Sequence, residues 1–173
     1  MTRFARTRIV AVAVGAAAAV GLALTGCSSD TPNTTDTAAI SLQDSWVKAA
    51  DSGVTAMFGT IVNDSDDAVT LTSVTTTVSP RVELHETAPD GTGAMKMRQK
   101  DGGVTVAAHD SYELAPGGDH IMLFDLPAPV QAGADVTFTF EFADGATTEF
   151  TSQVRDFTGA REDYGTHGES HDG

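Results

Sequence analysis

The chain is poor in cysteine, in positive charge and in aromatic residues. Its only cysteine among 173 residues is Cys27, so an intrachain disulfide is excluded and no thiolate is available to a folded domain beyond it. Lysine and arginine number 10 against 24 aspartates and glutamates, a formal net charge of −14. That balance argues against nucleic acid as a partner, because such binding rests on cations that neutralise phosphates. An acidic surface is commonly a device for solubility. No Gly-x-Ser-x-Gly, His-Glu-x-x-His or phosphate-binding loop occurs, and no paired carboxylates are marked as a buried acid–base couple, so the reading is not an enzyme. No stretch shows helical periodicity.

The apolar run Ile9 to Leu24 follows the basic leader Arg3, Arg6 and Arg8 and is shorter than the roughly 20 residues a spanning helix needs. A basic start, a short apolar stretch and small residues before a break describe a secretory signal over residues 1–26. Leu24-Thr-Gly-Cys27 looks like a bacterial lipobox, with cleavage before Cys27 and acylation of that cysteine. Several acyl chains, at about 0.8 kcal/mol per buried CH₂, would hold the protein on the outer face of the plasma membrane. Loss of the three leader arginines leaves 7 basic against 24 acidic residues, a formal −17.

Residues 27–39 carry no large apolar side chain and read as the lipidated cysteine and a flexible tether. Residues 158–173 are rich in Gly, Asp and Glu and read as a disordered acidic tail. Between them, residues 40–157 have the size of one domain. In Val136 to Phe142, Val136, Phe138, Phe140 and Phe142 alternate with Thr137, Thr139 and Glu141. This alternation marks a half-buried strand. Asp144-Gly145 signals a hairpin turn into a strand over 147–154. Further strands are expected over 44–50, 54–62, 69–78, 81–86, 94–99, 104–107, 112–114 and 120–125. Many short strands predict an all-β antiparallel sandwich or barrel.

The chemistry-bearing residues are soft. His85, Met97, His120 and Met122 are imidazoles and thioethers, a set suited to reduced copper. On a strand, residues i and i+2 point the same way. His120 and Met122 therefore oppose Ile121 and Leu123, and His85 shares a face with Arg81 and Glu83, opposite Val82 and Leu84. Met95 and Met97 share a face opposite Lys96 and Arg98. Taken singly, a strand histidine is commonly hydrogen-bonded and a methionine commonly fills a core. Three of the four methionines after the initiator fall in these segments, however.

Val82-Glu-Leu-His-Glu-Thr87, Met95-Lys-Met-Arg98 and Leu114-Ala-Pro-Gly-Gly-Asp-His-Ile-Met-Leu123 together resemble the PCu(A)C family of extracytoplasmic copper chaperones. Asp44, Trp46, Val47 and Lys48, and the segment Gly59 to Asn63 before an acidic turn, resemble it as well. The family pattern is His-x10-Met-x21-His-x-Met. Here eleven residues separate His85 from Met97 and twenty-two separate Met97 from His120. Turn-rich segments 89–93 and 101–103 can hold the extra residues. Met95 fits the spacing less well and stands as an alternative ligand. Asp119 occupies a position where the family more often has an aromatic residue.

The resemblance implies a cupredoxin-like Greek-key sandwich that binds one Cu(I) through His85, Met97, His120 and Met122. It implies delivery to the CuA centre of cytochrome c oxidase, on subunit II, alone or beside a Sco-like thioredoxin-fold protein. Copper storage or sequestration, and a plain β-sandwich binding or adhesion module without metal, stand as alternatives. His109 lies in a turn and is given no role. His167 and His171, four apart in the tail, fit either an auxiliary copper site or a plain disordered tail.

Overall fold

The computed structural model describes residues 35–158. Ten strands follow a 3₁₀ turn at Thr37–Ala39: β1 Ile40–Lys48, β2 Gly53–Asn63, β3 Val69–Thr76, β4 Arg81–Pro89 and β5 Met95–Gln99. The rest are β6 Val104–Val106, β7 Asp110–Leu114, β8 His120–Leu126, β9 Asp135–Phe142 and β10 Thr147–Arg155. Among the described residues there is no α-helix, and none long and apolar enough to cross a membrane.

Hydrogen bonding runs along one path, β5-β4-β8-β2-β1-β10-β9-β3-β6, with β7 added to β2. The path closes over itself as a sandwich. Met57, Ile61, Leu84, Ile121 and Leu123 from one half meet Leu71, Val74, Phe138, Phe140 and Phe142 from the other. The alternation read in β9 is realised: Val136, Phe138, Phe140 and Phe142 are buried, Thr137 and Glu141 are exposed and Thr139 is half-buried. Each such side chain contributes roughly 1.5–3 kcal/mol when removed from water.

The ladder is antiparallel except at one place. β1 pairs parallel with β10 through Trp46, Val47 and Lys48, and antiparallel with β2. A register shift between Gln43 and Trp46 allows both, with Asp44 at φ 50°. The strand expected over 44–50 thus begins earlier, at Ile40, and the bulge interrupts its pairing at Asp44. Gly59 lies opposite it at φ 151°, and a Cβ there would stand 2.9 Å from Ser45 Cα. Only glycine lets the two backbones approach so closely.

Candidate metal centre

β4 and β8 form the floor of the site. Their antiparallel register sets His85 opposite His120, Leu84 opposite Ile121, and Glu83 opposite Met122. Directly opposed residues share a face, so alternation divides the two strands cleanly. Leu84, Ile121 and Leu123 enter the main core. Glu83, His85, His120 and Met122 lie together on the other side. The imidazoles of His85 and His120 stand 6.0 Å apart, centroid to centroid.

That other side is not a plain solvent face. His120 is 0 % exposed and Met122 3 %. The Phe58 ring lies 6.0 Å from His120, and Trp46 packs on Phe58 at 4.7 Å. Phe124 lies 5.6 Å from His85. Trp46 and Phe58, register partners on β1 and β2, thus extend a second, smaller covered patch beside His120. Met122 is thus a covered thioether, unlike the exposed Met95.

β5 is the edge strand beside β4. Met97 pairs with Thr87 and Met95 with Pro89, while Gln99 pairs with His85. Met97 therefore lies on the face of His85, one pleat along, and is half-buried. Met95 lies at the hairpin end and is 61 % exposed.

The turn before β8 is tied down on both flanks. Ala115 N–H donates to Asp119 O at 2.8 Å and Gly118 N–H to Ala115 O at 3.0 Å. The Gly118 carbonyl accepts from His120 Nδ1 at 2.9 Å and from Thr87 Oγ1 at 3.2 Å. Asp119, the departure from the family pattern, accepts from the Tyr112 hydroxyl and pairs with Lys100 at 3.2 Å. Lys100 also reaches Glu86 at 3.0 Å, and Glu86 reaches Arg98 at 2.7 Å. The Glu86 carboxylate raises the Lys100 pKa. Burial, followed by the bond to Asp119, raises that of Tyr112. Asp119 thus fastens the turn that presents His120, a role its residue type alone did not indicate.

Glu83 is the second residue that sequence reasoning left without a role. Its Oε2 accepts from His85 Nε2 at 2.8 Å and its Oε1 from Arg81 at 2.8 Å. Burial acts to raise its pKa, but the bonds from His85 and Arg81 outweigh it and hold the carboxyl below the usual carboxylate value. The signal was present in the Glu-x-His spacing, which puts both side chains on one strand face.

Two polar side-chain atoms among the described residues are buried without a hydrogen-bond partner: His85 Nδ1 and His120 Nε2. Such atoms call for an explanation, because leaving one unpaired costs about 1–3 kcal/mol. Among the described residues no three His, Cys, Asp or Glu gather as a metal-binding group. His109 pairs with Asp66 at 3.0 Å on the exposed surface, away from these contacts. Cys27, His167 and His171, with the signal segment and the tail, lie outside the described residues.

Comparison with known proteins places the chain. The family model described as "Putative lipoprotein LpqE-like" matches residues 40–154. A protein of Leifsonia xyli subsp. xyli, "Putative lipoprotein Lxx21020", is 38% identical over 152 residues, covering 85% of this chain and 91% of its own. The copper-bound PCuAC domain from PmoF2 superposes with a TM-score of 0.55 at 18% identity, over 69% of this chain and 94% of that one. The Cu(I) form of DR1885 from Deinococcus radiodurans gives 0.53 at 26% identity, over 71% and 84%. The chain belongs to the LpqE-like family, built on the PCuAC fold.

Proposed function

We propose that the protein is a lipid-anchored extracytoplasmic copper chaperone that binds one Cu(I) through His85, His120, Met122 and Met97. The observation that carries this reading is the pair of buried, unpartnered imidazole nitrogens on facing positions of β4 and β8. A metal ion satisfies both lone pairs at once. Met122 lies one pleat from His120 on the same face and Met97 one pleat from His85. Two imidazoles and two neutral thioethers suit Cu(I) better than Zn²⁺ or Cu²⁺. Met97 is preferred to the exposed Met95 because it is drawn into the patch. Two relatives in fold are named as copper-bound, one of them as a Cu(I) form, which supports the same cargo here.

The lipobox ending at Cys27 and the lipoprotein names of the family and of the Leifsonia relative support the anchor. Copper is cargo in this reading and no substrate is turned over. The acceptor is the CuA centre of cytochrome c oxidase, reached directly or through a Sco-like protein. A partly exposed Met97 and His85 beside buried His120 and Met122 provide a side from which an acceptor can exchange ligands one at a time.

Titration of Cu(I) against a competing chelator tests the reading. One equivalent binds, and His120→Ala or Met122→Ala weakens it by more than the roughly 10–100-fold that outer-sphere changes cause. Met57→Leu, a change in the main core, leaves the affinity alone. Equal affinity in all four proteins contradicts the proposal. Transfer of the bound ion to an apo CuA domain then separates delivery from storage.

A further inference from the structure

We infer that Glu83 is a positioning residue for the metal site: it makes His85 offer Nδ1, opposite to the Nε2 that the Gly118 carbonyl makes His120 offer. The inference rests on the copper-binding reading and adds to it how each ring is held. A backbone carbonyl can only accept a hydrogen bond. The 2.9 Å contact to Gly118 O therefore fixes the ring proton of neutral His120 on Nδ1 and leaves the lone pair on Nε2. An ionised carboxylate likewise only accepts. The 2.8 Å contact to Glu83 fixes the proton of His85 on Nε2 and leaves the lone pair on Nδ1. These two lone-pair atoms are the buried, unpartnered ones.

Glu83 is itself clamped. Its second oxygen takes Arg81, whose guanidinium lies 3.8 Å over the Phe124 ring and 3.2 Å from Asp125. Arg81, Glu83 and His85 occupy alternate positions of β4, so one strand face carries the whole chain of contacts. Turning the His85 ring by half a revolution would put ring carbons where Nε2 meets Glu83 and where Nδ1 faces the site. A carboxylate behind a ligating imidazole also makes it a stronger donor. Glu83 further supplies negative charge beside a cation whose direct ligands are all neutral. It faces Met122 in register, so it lies at the floor of the site and not at its rim.

Nitrogen NMR of ¹⁵N-histidine-labelled protein reads this directly. Without metal, His85 shows the Nε2–H form and His120 the Nδ1–H form. Cu(I), or Ag(I) as a redox-inert probe, shifts Nδ1 of His85 and Nε2 of His120. Glu83→Leu scrambles the His85 tautomer in the metal-free protein and weakens Cu(I) binding by about 10–100-fold. Glu83→Gln keeps an acceptor oxygen and loses less. Coordination of His85 through Nε2, or an unchanged tautomer and affinity in Glu83→Leu, overturns the inference while leaving the copper reading in place. Cu(I) that perturbs neither ring overturns both.

Discussion

Met95 and Met97 differ by two positions in sequence and by their access to the site. Both point to the same side of β5, yet Met95 is 61 % exposed and Met97 is drawn in beside the register of Thr87 and His85. Sequence spacing left the choice between them open; the pairing of β5 with β4 resolves which is the nearer to the histidines along the strand. Met97→Leu is expected to weaken Cu(I) binding measurably in a chelator competition. Met95→Leu, a surface change, should stay within about twofold of the parent. The reverse order would make Met95 the ligand. At this scale the histidines were legible because parity on a strand needs no knowledge of the fold. Glu83 and Asp119 were less so. An acid in an acidic chain carries no mark of its own, and their roles depend on Arg81, Lys100 and Tyr112 arriving from elsewhere.

The strands were readable where one face is buried and the other wet, as in β9, because period-two alternation then survives in the sequence. It failed at the start of β1, where the bulge at Asp44 shifts the pairing. It also could not reveal that the face opposite the core is covered, with Phe58 of β2 beside His120 and Trp46 of β1 packed on Phe58. Gly59 is the residue that permits this. Gly59→Ala forces a Cβ to within 2.9 Å of Ser45 and should cost about 1–3 kcal/mol in urea unfolding. The fluorescence of Trp46, the single tryptophan, should shift with it. The β4–β5 hairpin carries its own pH dependence. Hydrogen bonds from the Thr92 side chain and backbone, then from Lys96, hold Asp90 down at about 2. A depressed carboxyl stabilises the fold above its unfolded value near 3.9, and that stabilisation is lost as the pH falls towards 2. Asp90→Asn should therefore lower Tm at pH 5 and leave it little changed at pH 2.

Over the whole molecule, the division of labour follows the two faces of one sheet half. The inner face packs Leu84, Ile121 and Leu123 against the β9 phenylalanines of the other half, and carries the stability. The outer face of β4 and β8 carries the histidines, where buried nitrogens without partners are kept at a cost the core can bear. Phe138→Ala is accordingly expected to lose about 3–5 kcal/mol. Changes at His120 should alter copper affinity far more than folding. The family and the fold were legible from three short blocks because those blocks are the floor and edge of the site. X-ray absorption of the Cu(I)-loaded protein tests the central claim most directly. Two sulfur and two nitrogen neighbours, with one sulfur lost in Met122→Leu and one nitrogen in His120→Ala, is the result this account predicts. A copper shell of nitrogen and oxygen alone, unchanged by either substitution, would contradict it.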